Sequence, residues 1–487
     1  MRGLSAVRVG GGGGSVSECK IGGQPGAHRD DDDVAMVTVR GTPAEGSPVI
    51  VDAGPRRILE LALPTLGVLV AEPIYLLFDL AVVGRLGALA LAGLAVGGLI
   101  LAQVSTQLTF LSYGTTARSA RRYGAGDRPG AVAEGVQASW LAVGIGLVIL
   151  IAVQLAAAPL TGAVAGGGDI AAESLGWVRI ALFGVPLILV SMAGNGWMRG
   201  VQEVRRPLTY AVAGLLLSAL LCPTLVHGWF GAPAMGLPGS AVANLTGQAV
   251  MAALFLGALA REGVPFTPRP SVMRTQLVLG RDLIVRNFTF QACFVSAAAV
   301  AARFGAASVA AHQLVLQLWD FLALALDSPA IAAQTLVGAA LGARDAAAAR
   351  MVALRVTEWS LAFALVLAVV CAAGTAVIPP LFTTDAAVLD RIGAAWWFFV
   401  VMIPVVGVVF ALDGVLLGAG DAAYLRTTTL GAALLGFLPA IWLSLVFEWG
   451  IAGIWCGLIV FMLMRLAALF GRALSGRWAR VGAEVPA

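Results

Sequence analysis

The chain has 487 residues, 59% of them hydrophobic and 12% charged, with a formal net charge of +4. A mean hydropathy of +0.90 excludes an ordinary soluble domain, and the alternating pattern of a membrane β-barrel is absent, so the reading is an all-α polytopic membrane protein. The positive charge calls for no nucleic-acid partner, because arginines collect in the short loops on one face of such a protein.

Residues 1–55 hold a Gly10–Gly14 run, an Asp30–Asp33 run and few large apolar residues, and are expected to be a disordered cytoplasmic tail. They lack the apolar core of a signal peptide. Beyond them, cutting at the Arg-, Asp-, Gly- and Pro-bearing breaks leaves about twelve apolar segments of roughly the 20 residues a helical span needs. They lie near 59–83, 89–113, 136–158, 174–197, 208–228, 238–260, 282–303, 308–338, 353–378, 392–416, 427–447 and 450–472.

The first segment, Leu59–Val83, carries Asp79 together with Pro64 and Pro73. A carboxylate near mid-bilayer costs about 2.5–3.5 kcal/mol on insertion scales, so Asp79 is a functional-site hypothesis. The prolines predict a kinked helix. The bland alternative places Asp79 at a helix end, neutralised by Arg85.

Arginines alternate along the chain. One face collects Arg56 and Arg57, the Arg118–Arg128 cluster, Arg199–Arg206, Arg261–Arg281, Arg344–Arg355, Arg426 and Arg472–Arg480, whereas the other has isolated Arg85, Arg303 and Arg391. Both termini are therefore expected in the cytoplasm, with the chain multi-pass in the inner (plasma) membrane. Four of the five cysteines, Cys222, Cys293, Cys371 and Cys456, fall inside spans, where a free thiol behaves as a small hydrophobe. No metal-binding spacing occurs, His28, His227 and His312 are scattered, and no cofactor is expected. Trp396, Trp397, Trp442, Trp449 and Trp455 read as interfacial anchors.

An internal repeat organises the whole. Gly124-Ala125-Gly126-Asp127 answers Gly342-Ala343-Arg344-Asp345 (342 − 124 = 218), and Arg85-Leu86-Gly87-Ala88 answers Arg303-Phe304-Gly305-Ala306 at the same offset (303 − 85 = 218). The segments around Gly200 and Gly418 (418 − 200 = 218), and around Gly236 and Gly450 (450 − 236 = 214), extend the register. The expected organisation is an N-lobe at 56–260, a cytoplasmic linker at 261–281, a C-lobe at 282–472 and a cytoplasmic tail at 473–487. Two six-helix halves of like orientation with a site at their interface are a common construction for alternating-access carriers.

At the first span, at Arg121–Asp127, Gly194–Leu208, Gly280–Asn287, Ala310–Asp345 and Ala411–Asp421, the chain resembles the multidrug and toxic compound extrusion family, in its DinF-like branch, over roughly residues 56–472. The resemblance implies a V-shaped pair of lobes exporting small cationic or amphipathic molecules against inward movement of protons or sodium ions. It implies that Asp79 is the cation-coupling carboxylate and Pro64 the hinge. The Asn and Asp that normally complete the polar cavity on the fifth span are Ser218 and Cys222 here, which favours H⁺ over Na⁺, since hard cations want several oxygens.

Candidate polar residues of the N-lobe cavity are Gln103, Gln107, Tyr113, Asn195, Asn244 and Gln248, with interhelical hydrogen bonding as their plainer role. In the C-lobe, Asp320, Asp327, Asp413, Arg286 and Asp282 form either an ion-pair network, with Arg286 or Arg303, or a second protonatable centre. The expected function is cation-coupled antiport by alternating access, by a monomer in the lipid bilayer. The alternatives are a lipid-linked precursor flippase, which would want a more arginine-rich cavity, and a membrane-embedded enzyme, which would want a nucleophile pair or clustered carboxylates.

Overall fold

The computed structural model describes residues 54–484, and the reading of residues 1–53 as a tail lies outside them. Among the described residues the chain is helical, with no strand. In the first half, α1 is Pro55–Gly84, α2 Ala88–Gln107, α3 Phe110–Gly124, α4 Arg128–Ala165, α5 Gly168–Ala181, α6 Gly184–Gly200, α7 Arg205–His227 and α8 Leu237–Arg261. In the second, α9 is Pro270–Arg303, α10 Ala306–Gly342, α11 Ala346–Ala373, α12 Ala386–Ala419, α13 Ala422–Ala432, α14 Leu438–Val446 and α15 Gly450–Ser475. Eleven helices or near-continuous pairs are long and apolar enough to cross a membrane; α5 and α6, bent by 48° about their break, make up to twelve. Large apolar side chains such as Leu155, Leu220 and Leu435 stand exposed, as a lipid-facing surface requires.

The repeat seen in the sequence has a physical cause at each position. Asp127 and Asp345 cap α4 and α11, accepting from the backbone N–H of Gly130 and Ala348 respectively, each at 2.8 Å. The turns before them need a left-handed residue, supplied by Gly126 (φ 80°) in one half and by Arg344 (φ 62°) in the other. Helix crossings repeat as well. A Cβ at Gly196 would press on the Ser112 carbonyl, and one at Gly414 would collide with that of Ala330, each 218 positions along (414 − 196 = 330 − 112 = 218). So α6 packs on α3 as α12 packs on α10.

The halves meet where α3 crosses α10. A Cβ on Gly124 would run into the Ala339 carbonyl, and one on its repeat partner Gly342 into that of Arg121. Further out, Ser328 on α10 donates to the Ala62 carbonyl of α1 at 2.6 Å. α1 runs unbroken from Pro55 to Gly84 through both prolines.

Two boundaries differ from the sequence reading. The expected linker ends early, because α9 starts at Pro270, a residue suited to a helix's first turn, and places Asp282 well inside a helix rather than at its start. At the other end α15 stops at Gly476, which takes the left-handed conformation (φ 63°), and the following segment turns back onto the Arg-rich face. There Trp478 is buried, and the Gly482 N–H donates to the Leu341 carbonyl at 2.9 Å. Arg121 of α3 reaches the carbonyls of Arg480 (3.0 Å), Gly482 (3.1 Å) and Ala419 (2.8 Å). The segment expected as a cytoplasmic tail is, as far as residue 484, a strap across both halves.

Trp396 and Trp455 are 1% and 0% exposed, so these two are core residues rather than interfacial anchors. Trp396 satisfies its indole by donating to Thr375 Oγ1 at 3.0 Å. Trp397, Trp442 and Trp449 are exposed, as an anchor requires.

Candidate functional site

Asp79 sits on the face of α1 turned toward α7 and α8 and is 3% exposed. Cys222 Sγ donates to Oδ1 at 3.1 Å and Ser240 Oγ to Oδ2 at 2.9 Å. The Arg85 explanation fails, because Arg85 is exposed and forms no ion pair with Asp79. Tyr75, one turn before Asp79, is buried with Ser218 and Asn244 beside its hydroxyl. Ser218 in turn donates to the Ala243 carbonyl at 3.1 Å. Val82, Cys222, Val226 and Ala243 seal the cluster with apolar surface. Asp79 is thus a carboxylate held by neutral donors, with no cation among the described residues within ion-pair reach.

Below this cluster a chamber of about 430 Å³ opens between α1, α2, α3, α6, α7 and α8. Tyr113, Asn195 and Gln248, all expected cavity residues, line it, together with Glu72 and Arg199. Asn195 Oδ1 and Gln248 Oε1 have no protein partner. A second chamber of about 280 Å³ lies on the C-lobe side, lined by Arg286, Asn287, Gln291, Asp327 and Asp413 among others. Thr106, Thr109 and Tyr113 line both. Two contacts between halves separate the chambers: the Tyr113 hydroxyl donates to Asp327 Oδ2 at 2.7 Å, and Asn287 Nδ2 to Thr109 Oγ1 at 3.1 Å.

Asp413 belongs to a buried triad. Arg465 Nη2 reaches both its oxygens (2.8 and 2.6 Å) and Arg286 Nη2 reaches Oδ2 at 2.7 Å. The Arg465 guanidinium also lies 4.7 Å from the Phe290 ring centre. The ion-pair role foreseen for Asp413 and Arg286 is present, with Arg465 as the missing member; Arg303 is exposed and takes no part. Asp282 pairs with Arg426 at 2.6 Å and with Arg281 at 3.1 Å. Asp320, two turns before Asp327 on the same helix, is exposed and lines neither chamber. Gln103 is exposed on α2, and Gln107 Oε1 is buried without a partner outside both chambers. His312 is fully buried beside Trp455.

Sequence reasoning missed Glu72, Ser240, Arg199 and Arg465. Ser240 had no signal of its own. Glu72 did: it stands seven residues before Asp79 in the same span, hence on one stripe of the helix with Tyr75. The arginines were counted with the loop clusters or passed over, so the cleft holds more arginine than expected.

Duplicated helical halves enclosing a polar, partly charged cleft define a polytopic carrier of the membrane. The chain belongs to the MatE family, whose sequence profile matches residues 64–224 and 283–442. It is 31% identical over 428 residues to protein DETOXIFICATION 44, chloroplastic, of Arabidopsis thaliana, covering 84% of this chain and 80% of that one. Against DNA damage-inducible protein F of Escherichia coli it is 29% identical over 439 residues, 87% of this chain and 92% of that one. Among solved structures, a MATE transporter in the bent conformation has TM-score 0.79 at 20% identity, covering 87% of this chain and 95% of that one. The Vibrio cholerae MATE transporter VcmN in the bent form has TM-score 0.76 at 19% identity, covering 86% and 96%. Members of this family are transporters and not enzymes, and this chain is a multi-pass membrane transporter.

Proposed function

We propose that the protein exports small cationic or amphipathic molecules by alternating access, exchanging them for protons at Asp79. The observation that carries this reading is the state of Asp79: a carboxylate sealed among three helices, hydrogen-bonded by Cys222 and Ser240, and without a cationic partner. An isolated buried charge is costly, so such a group gains most from binding a proton or metal cation. A thiol at Cys222 is a poor ligand for a hard cation, which favours the proton over sodium. Relatives named as multidrug resistance proteins, among them PmpM of Pseudomonas aeruginosa at 30% identity over 204 residues, support the drug-export class.

In the cycle, substrate occupies the cleft while Asp79 is ionised. Protonation from outside removes the charge that orders Cys222, Ser240 and the α1–α7–α8 packing, α1 bends near Pro64, and substrate leaves. Coupling needs only that substrate and proton favour different states. The Ser328–Ala62 hydrogen bond ties the backbone beside Pro64 to α10, so bending there is felt in the other half.

The flippase alternative gains Arg199 and Arg286 as chamber-lining arginines, with Arg465 buried behind them, but not a free positive field. Arg286 and Arg465 are engaged by Asp413, and Arg199 faces Tyr113 and Asp327.

Dye efflux from energised vesicles tests the reading. Wild type is expected to export under an inward proton gradient and Asp79→Asn to lose that export, with insertion unchanged. Sodium-driven export would replace the proton with sodium, and undiminished proton-driven export by the mutant would remove Asp79 from the mechanism.

A further inference from the structure

The coupling carboxylate does not line the chamber. Asp79 is closed in by Cys222, Ser240 and their apolar surround, whereas the 430 Å³ space below is bordered by a different acid, Glu72. We propose that Glu72 is the residue that holds the cationic group of the substrate, a lipophilic organic cation, leaving Asp79 to carry the proton. This assignment rests on the exporter reading and divides its work between two carboxylates on one stripe of α1.

Four features of the chamber support it. Glu72 is exposed at the chamber wall, and among the described residues it forms no hydrogen bond and no ion pair. It is the one carboxylate lining this chamber; the guanidinium of Arg199, the only other charged group there, sits one residue from the end of α6. Arg199 faces Tyr113 and Asp327 across the lobe boundary, which leaves Glu72 without a protein counter-charge. The rest of the wall is uncharged, and Val68, Leu69, Leu76, Ile188, Met192 and Phe255 offer apolar surface for an organic body.

Position supplies the link to coupling. Glu72, Tyr75 and Asp79 follow at three and seven residues along one helix face, so the two acids are separated by about 10 Å of rise. Tyr75, with Ser218 and Asn244, lies between them. Pro73 follows Glu72 directly and removes the N–H that would bond the Leu69 carbonyl, so the anchor sits where α1 yields most easily. A bend driven from Asp79 therefore moves Glu72 relative to the α6 and α8 walls.

The test is equilibrium binding of tetraphenylphosphonium to the purified full chain in detergent, with neutral triphenylphosphine oxide as control. Glu72→Gln is expected to weaken tetraphenylphosphonium binding by about tenfold or more while leaving the neutral compound unchanged. Glu72→Asp keeps the charge and is expected to retain most of the affinity, which separates loss of charge from loss of fold. Asp79→Asn is expected still to bind. Equal affinity in wild type and Glu72→Gln, a parallel loss for the neutral compound, or no tetraphenylphosphonium binding by wild type would each overturn the assignment. Binding that depends on Glu72 in a protein that no ion gradient drives would confirm the anchor and defeat the exporter reading instead.

Discussion

Asp413 shows how a buried charge is retained in this fold. Its carboxylate takes three short bonds from Arg465 and Arg286, and Phe290 covers the Arg465 guanidinium. Removing one partner of such a group strands the others, at about 3–5 kcal/mol. Arg465→Met is therefore expected to lower the melting temperature of the solubilised protein markedly, whereas Asp320→Asn, at an exposed position, is expected to leave it unchanged. Equal melting temperatures for the Arg465 variant and wild type would mean the triad contributes nothing to the folded state. Asp413 and Asp79 looked alike in the sequence, each an aspartate deep in an apolar span. Their difference lies in partners brought from 52 and 161 positions away, Arg465 and Ser240, which no local pattern reveals.

At the scale of helices, close approach depends on small residues at matching positions in each half. Gly414 leaves room for the Ala330 carbonyl where α12 crosses α10, as Gly196 does for Ser112. Gly414→Val is expected to push that pair apart and cost about 1–3 kcal/mol, visible as a lower melting temperature. Gly176→Val, on α5 with open space around it, serves as the control and is expected to cost at most a few tenths more than its helix propensity dictates. Similar losses for both would show that the crossing is not tightly packed. The spans and the repeat were legible because hydropathy, Asp caps and left-handed turns are local properties. The early start of α9 was not, since its first turns are polar and hydropathy reports lipid contact rather than helix. Trp396 and Trp455 were misplaced for a related reason: a tryptophan near a span end packs in the core or at the interface according to what faces it.

At the scale of the molecule, the strap after Ser475 joins the halves on the Arg-rich face through Arg121, Leu341 and Trp478. A carrier that opens on that face must release those bonds. Truncation after Ser475 is expected to broaden and lengthen the distance between spin labels at Pro129→Cys and Ala347→Cys, in a background lacking the native cysteines. An unchanged distribution would mean that the α3–α10 crossing alone holds the face shut.

The two-acid arrangement of α1 makes one demand on the whole cycle: substrate and proton must oppose each other at equilibrium, through Asp79. The direct measurement is proton release from the purified, weakly buffered protein on addition of tetraphenylphosphonium, in wild type and in Asp79→Asn. The account predicts release from wild type and its loss in the mutant, although the mutant still binds the cation. Release of the same size from both proteins, or none from wild type under conditions where binding is measured, would contradict it.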